Sequence, residues 1–150
     1  MYLVSACLLG LKSRYDGGSN RGSRNPVLPN TLLVPFCPEQ LGGLPTPRSP
    51  AEIIGGSGED VLAGKGIVCN ERGEDVTALF LRGAYESLYL ARFYGAEGVF
   101  LKDGSPSCGV NCIHDGTFSG CKRAGMGVTA ALLQQHRYTL FSEREFFRDR

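Results

Sequence analysis

The sequence predicts an α/β fold, a single-domain, three-layer sandwich built on a mostly parallel, Rossmann-like sheet. Short apolar runs of strand length alternate along the chain with segments of helical periodicity, a pattern typical of a parallel sheet covered by helices. The 150 residues match the size of one ordinary domain, and 42% of them are hydrophobic, enough to fill one core. No repeat or linker divides the chain, so we expect one domain over residues 1–150.

The first half of the chain carries two predicted strands. Residues 2–9 (YLVSACLL) and 31–36 (TLLVPF) are apolar runs typical of buried strands, separated by a polar, glycine-rich loop. Residues 40–57 are rich in glycine and proline and are expected to be irregular. The alternating stretch GKGIVCNERGEDVT contains turn residues and predicts a small hairpin.

The second half contains the clearest helix. Apolar side chains recur every three or four residues over 76–94, Asp75 is a candidate cap, and Gly95 is a candidate terminator. The remaining predicted elements are a buried strand over GVFLKDG, a helix over residues 127–136, a strand over RYTLFSE and a terminal helical turn over EREFFRDR.

Composition and charge exclude several classes of protein. Sixteen basic and fifteen acidic residues leave a net charge of +1, which argues against a large nucleic-acid footprint but allows a small anionic substrate. No apolar run is long enough to span a membrane, and the N-terminus lacks the features of a signal peptide. We therefore expect a cytoplasmic protein without a membrane partner. A homo-oligomer is compatible with the sequence.

Three of the six cysteines occupy equivalent positions in the predicted fold. Cys7 lies near the C-terminal end of the first strand, Cys37 directly follows the second, and Cys108 lies in the loop after the third. Ligands of open α/β sheets bind beyond the carboxyl ends of the strands, so these cysteines are expected to converge on one crevice. A reducing compartment favours a metal or catalytic role over a disulfide. The alternative is that they are buried cysteines acting as small apolar side chains.

The identity of a metal is constrained by what the sequence lacks. There is no CxxC pair, which weakens zinc, and no ferredoxin spacing of cysteines. Three thiolates suit a 4Fe–4S cluster in which one iron stays open to a ligand. Such an iron acts as a Lewis acid and is soft enough to prefer sulfur.

Several long motifs carry a family resemblance. They are, in order, MYLVSACLLG, RYDGGSNR, CPEQLGGLPTPR, DVT, SPSCG, DGTFSG and GMGVTAALL. Together they resemble the thiouracil desulfidase (TudS-like) family from about residue 3 to residue 143.

The resemblance implies an oxygen-sensitive 4Fe–4S cluster held by Cys7, Cys37 and Cys108. It also implies non-redox removal of sulfur from thiouracil or thiouridine monophosphate, with hydrogen sulfide released. No further domain for tRNA binding is evident, which favours a small thiolated base or nucleotide as substrate. By the resemblance, Ser13 stands where family members commonly carry a further cysteine. This departure would impair the protein if the family needs that cysteine as a cluster ligand, and it is harmless if three ligands suffice. Cys69, Cys112 and Cys121 fall outside the shared motifs and are interpreted as structural or incidental.

Candidate catalytic residues follow from the positions of these motifs. Glu39, two residues after Cys37, is the first candidate for the general acid or base. The alternative is that it is a carboxylate in the first turn of a helix, where the helix dipole favours negative charge. Ser105 is the second candidate, as a residue that positions water or substrate, and Ser107 is a weaker candidate for substrate binding. Both serines could instead be turn residues.

The loop DGGSNR is a candidate anion-binding turn. Asp16, Ser19 and Arg21 are its predicted substrate-binding residues, because successive backbone N–H groups and an arginine can hold a phosphate. The alternative is a surface loop. At the level of function, a non-enzymatic nucleotide-binding module, a zinc- or cluster-stabilised structural protein, and persulfide-based sulfur transfer stay open as alternatives.

Overall fold

The regular elements are short, apart from one long helix. The computed structural model describes residues 1–26 and 30–147, and the elements follow in this order: β1 (Tyr2–Ser5), a 3₁₀ helix (Ala6–Leu9), β2 (Leu33–Phe36), α1 (Pro38–Leu41), β3 (Ala51–Ile54), α2 (Gly58–Leu62), β4 (Ile67–Asn70), α3 (Thr77–Tyr94), β5 (Gly98–Leu101), β6 (Cys112–His114), β7 (Lys122–Ala124), α4 (Val128–Gln135), β8 (Leu140–Ser142) and α5 (Glu143–Phe147).

Four parallel strands form the central sheet in the order β2-β1-β5-β8. Tyr2 lies opposite both Leu33 and Gly98, and Val99 lies opposite Leu140, so the strands run in the same direction in close register. Their carboxyl ends therefore meet at one edge of the sheet. The predicted α/β class with a mostly parallel sheet is confirmed. Two antiparallel pairs, β3 with β4 and β6 with β7, lie outside it.

Alternate side chains of the central strands enter two different apolar clusters. Leu3 and Val99 belong to the cluster that includes residues of α3 and α4. Val4 and Phe100 belong to the second cluster, with Phe146 of α5. This period-two pattern is what a strand buried on both faces requires, and it produces the three layers.

Helix α3 begins and ends as its sequence predicts. The Asp75 carboxylate accepts a hydrogen bond from the backbone N–H of Thr77 at 2.9 Å. Gly95 ends the helix in the left-handed conformation, with φ of 59°, which glycine adopts without a Cβ clash. None of the helices in the described part of the chain is both long and apolar enough to span a bilayer.

Some predicted boundaries were wrong. β1 stops at Ser5, and Cys7 lies in the 3₁₀ helix that follows. The stretch 40–57, expected to be irregular, contains β3. The predicted hairpin is present in part, because the segment after β4 folds back so that the Val76 N–H donates to the Val68 carbonyl at 2.8 Å. The main partner of β4, however, is β3. α2, β6 and β7 were not predicted because elements of three to five residues carry too little periodicity. The predicted terminal turn is α5, and residues 148–150 lie outside the described residues.

The contact between α1 and α3 depends on glycine. A Cβ on Gly83 would collide with the carbonyl oxygen of Pro38, and one on Gly42 would collide with that of Leu79. α1 also carries Glu39, so this close approach sets the position of a candidate catalytic residue.

We expect Gly83→Ala to lower the free energy of unfolding by about 1–3 kcal/mol, because the helices must separate to accept one methyl group. Chemical denaturation measures this difference. Gly66→Ala is the matched control, since a Cβ there meets its neighbours at 3.4 Å, an ordinary contact distance. Equal stability of the two variants would contradict the close approach.

Candidate active site

A cavity of about 420 Å³ opens at the carboxyl edge of the central sheet. Ser5, Phe36 and Lys102, at or just after the ends of β1, β2 and β5, belong to its wall. The predicted site residues on this wall are Cys7, Cys37, Cys108, Glu39, Ser105 and Ser107. The expected convergence of three strand ends is therefore present.

Each cysteine is held by a different local structure. Cys7 lies in the 3₁₀ helix after β1, and its carbonyl accepts a hydrogen bond from Asn20 N–H at 2.8 Å. Cys37 caps the N-terminus of α1, and Pro38 occupies the first helical position, where its missing N–H costs nothing. Cys108 is buried in the loop after β5. The other cysteines, Cys69, Cys112 and Cys121, do not contribute to the cavity wall.

The three thiols resist ionisation in the protein alone. Burial raises the pKa of Cys7, of Cys37 and of Cys108. A charge on Cys37 further raises the pKa of both Cys7 and Cys108, because neighbouring thiolates repel each other. A cationic group bound among them would remove that cost, because metal ligands bind as thiolates.

These thiols fit an iron–sulfur group by ligand type and by room. Within residues 1–26 and 30–147, no group of three or more histidine, cysteine, aspartate and glutamate side chains is arranged to hold a metal ion. Cys7, Cys37 and Cys108 instead share the wall of a cavity with space for a polynuclear group. Soft thiolate sulfur is the donor that iron–sulfur clusters prefer.

A hydrogen-bonded chain joins Glu39 to the two serines of the SPSC motif. Ser107 Oγ donates to Glu39 Oε2 at 2.8 Å and lies 2.9 Å from Ser105 Oγ. Since Ser107 has a single hydroxyl proton, Ser105 is the donor between the serines whenever Ser107 donates to Glu39. Ser105 Oγ also accepts from the backbone N–H of Cys108 at 3.2 Å. The chain can thus hold and move a proton beside Cys108.

Arg48, which sequence reasoning missed, connects several parts of the site. Its side chain is only 6% exposed, and Nε donates to Glu39 Oε1 at 3.1 Å. Nη2 donates to the Ser13 carbonyl at 2.9 Å and lies 3.9 Å from Cys37 Sγ. The guanidinium orients the carboxylate and places positive charge beside a thiol. The signal was available, because Arg48 ends the same CPEQLGGLPTPR motif that begins at Cys37.

Three predicted substrate-binding residues do not belong to the cavity wall. Asp16 pairs with Arg14 at 3.1 Å and accepts from Gly18 N–H, while Arg21 Nε donates to the Arg24 carbonyl at 3.0 Å. Ser19 is half-buried away from the wall. Because the charged groups of Asp16 and Arg21 already make local hydrogen bonds, a role in substrate binding stays a prediction from sequence.

The loop that carries Cys108 is folded around Asp103. Asp103 Oδ1 accepts from the backbone N–H groups of Val110, Asn111 and Cys112, each at 3.0 Å, and Oδ2 accepts from the Asn111 side chain at 2.9 Å. Partial burial raises the pKa of Asp103, but the hydrogen bonds from Cys112 and Asn111 outweigh it, and the pKa lies below its usual range.

Asp103→Asn is expected to lower the free energy of unfolding by about 1 kcal/mol at pH 7, because an amide then faces the Asn111 amide. A lowered folded-state pKa gives stability that is present above the unfolded value of about 3.9 and lost as pH falls through the folded value. The difference in free energy of unfolding between wild type and variant should therefore disappear below about pH 4. Thermal unfolding across this range measures it, with exposed Glu86→Gln as control. A gap that persists unchanged at low pH would contradict the assignment.

Comparisons with known proteins agree with this arrangement of fold and site. An uncharacterised protein of Bacillus subtilis (strain 168), YbbK, is 49% identical over 146 residues, which cover 97% of each chain. A solved structure described as the [4Fe-4S]-dependent thiouracil desulfidase TudS matches with a TM-score of 0.84 and 44% identity, covering 96% of this chain and 91% of that one.

The family resemblance expected from the motifs is thereby confirmed. The model of the 2-thiouracil desulfurase family matches residues 2–145, nearly the whole chain. The chain belongs to the 2-thiouracil desulfurase family.

Proposed function

We propose that this protein removes sulfur from a thiolated pyrimidine, a thiouracil or thiouridine monophosphate, giving the oxo form and hydrogen sulfide without net redox change. The observation that carries this proposal is the shared cavity wall of Cys7, Cys37 and Cys108 with the Glu39–Ser107 pair. The similar solved structure, described as a [4Fe-4S]-dependent thiouracil desulfidase, supports it.

The three cysteines would hold a 4Fe–4S cluster. When bound, the cluster supplies a soft Lewis acid, at the iron without a protein ligand, that polarises the carbon–sulfur bond. Arg48 offsets part of the negative charge of the thiolates, since it lowers the pKa of Cys37 against the larger effect of burial. All six cysteines are free, which suits a reducing compartment, and we propose the cytoplasm.

Glu39 and the serines move the protons of the reaction. Desulfuration adds one water: its oxygen replaces sulfur on the ring carbon, and both of its protons leave with sulfur as hydrogen sulfide. Glu39 acts as the general base for water, and Arg48 holds its carboxylate in position. Ser107 and Ser105 connect Glu39 to the cavity beside Cys108 and return a proton to the departing sulfur.

Each of Cys7→Ser, Cys37→Ser and Cys108→Ser should lose the iron content and visible absorbance that wild type gains on anaerobic reconstitution. Serine is a poor ligand for iron in a cluster. Cys121→Ser, which changes an exposed cysteine outside the cavity, is the matched control and should load like wild type. Full iron loading by all three variants would refute this ligand set.

Glu39→Gln should keep the cluster and slow sulfide release from 2-thiouracil by at least about 100-fold, because glutamine cannot take the proton of water. Iron content and sulfide release are measured on the same reconstituted sample, with Glu86→Gln on the exposed face of α3 as control. Normal turnover by Glu39→Gln would refute its role as base. A loaded wild type that releases no sulfide from any thiolated base, nucleoside or nucleotide would favour a cluster-stabilised binding module instead.

A further inference from the structure

The wall of the cavity includes Glu52 and Phe118, to which the proposed reaction gives no role. Glu52 lies in β3 and Phe118 in the β6–β7 connection. Glu52 is only 7% exposed, whereas Phe118 is 38% exposed. This reverses the usual preference, in which carboxylates face water and aromatic rings are buried. Both side chains are therefore candidates to contact an occupant of the cavity.

Glu52 has one oxygen committed to the fold and one left available. Oε1 accepts hydrogen bonds from the backbone N–H of Gly116 at 2.9 Å and of Phe118 at 3.2 Å. Oε2 has no hydrogen-bond partner within the described residues. In that same part of the chain, Thr129 Oγ1 is the only fully enclosed polar side-chain atom that lacks a partner. Oε2 is therefore not fully enclosed, and Glu52 belongs to the wall of the cavity.

Phe118 is held in a conformation that bulky residues rarely adopt. Its φ of 55° lies in the left-handed region, and the hydrogen bond from its N–H to Glu52 helps to maintain it. The loop lies tightly against β3, since a Cβ on Gly116 would come within 2.6 Å of the Ile53 carbonyl oxygen. A strained, partly exposed aromatic residue on a cavity wall is typical of a ligand clamp.

We propose that Glu52 and Phe118 form the wall that recognises the pyrimidine ring. Phe118 packs against the face of the flat ring, and Glu52 Oε2 accepts a hydrogen bond from a ring N–H. A bound ring without that N–H would cover Oε2 and leave it unpaired, which is how a polar site rejects an isosteric analogue. This inference rests on the proposed desulfuration and names the residues that select its substrate.

The test uses the reconstituted full-length protein with uracil as the binding probe and 2-thiouracil as the substrate. Glu52→Gln is well matched, because its amide oxygen still accepts from Gly116 and Phe118 while its NH₂ replaces the acceptor with a donor. We expect calorimetry to show uracil binding weakened roughly tenfold to hundredfold, with a similar rise in KM for 2-thiouracil and little change in kcat.

Phe118→Ala should weaken uracil binding roughly tenfold, and Phe118→Tyr should restore it, because either aromatic ring can stack. Glu86→Gln and Tyr85→Ala change exposed side chains of α3 outside the cavity and should bind uracil like wild type. Methylated probes locate the hydrogen bond: wild type should lose affinity for either 1-methyluracil or 3-methyluracil, and for that probe Glu52→Gln should carry no further penalty.

Three results would each contradict the recognition of the ring by Glu52 and Phe118. They are unchanged uracil affinity in both variants, no uracil binding by wild type, and a loss of affinity in Glu52→Gln that is equal for all probes. Other results test the proposed activity independently of the recognition wall. Weakened binding in the variants without sulfide release by wild type from any thiolated pyrimidine refutes the activity. Normal sulfide release without the binding penalties refutes only the wall.

Discussion

Three cysteine thiols that share a cavity wall at one edge of a parallel sheet, each costly to ionise, are the constraint on which the rest of this structure depends. Burial raises the pKa of each, and the charge of Cys37 raises the pKa of the other two. A site of this kind is costly to ionise when empty and favourable once a cationic, sulfur-seeking group joins the thiolates. The sheet makes the convergence possible, because strands that all run in one direction end side by side.

The surrounding polar groups compensate for that constraint. Arg48 places its guanidinium between Glu39 and Cys37, and the carbonyl of Ser13 takes one of its donors. Asp103 accepts hydrogen bonds from backbone N–H groups of the loop that carries Cys108. Ser13 is itself buried on the cavity wall, and its carbonyl contributes a backbone acceptor for Arg48. The site thus combines rigid backbone anchors with a small number of paired charges.

Sequence reasoning was most successful where periodicity and chain direction decide the structure. Helix α3 and the buried strand β5 were predicted because their apolar patterns are long or continuous, and the convergence of Cys7, Cys37 and Cys108 followed from the direction of the strands. Arg48 was missed although it ends the motif that begins at Cys37, because its contact with Glu39 forms only once the intervening segment folds back. Glu52 was missed because the backbone groups it binds, at Gly116 and Phe118, lie 64 and 66 residues further along the chain. Asp16 and Arg21 matched a motif for anion binding, but the motif did not show that their side chains make local hydrogen bonds.

The central claim is that three protein thiolates hold four irons and leave one iron open. Anomalous X-ray diffraction at the iron edge, on crystals of the anaerobically reconstituted protein, tests it most directly. The account predicts four iron positions in the cavity, with Cys7, Cys37 and Cys108 each bonded to one iron and no protein atom bonded to the fourth. A single metal ion, or a fourth iron ligated by any side chain of the protein, would contradict it.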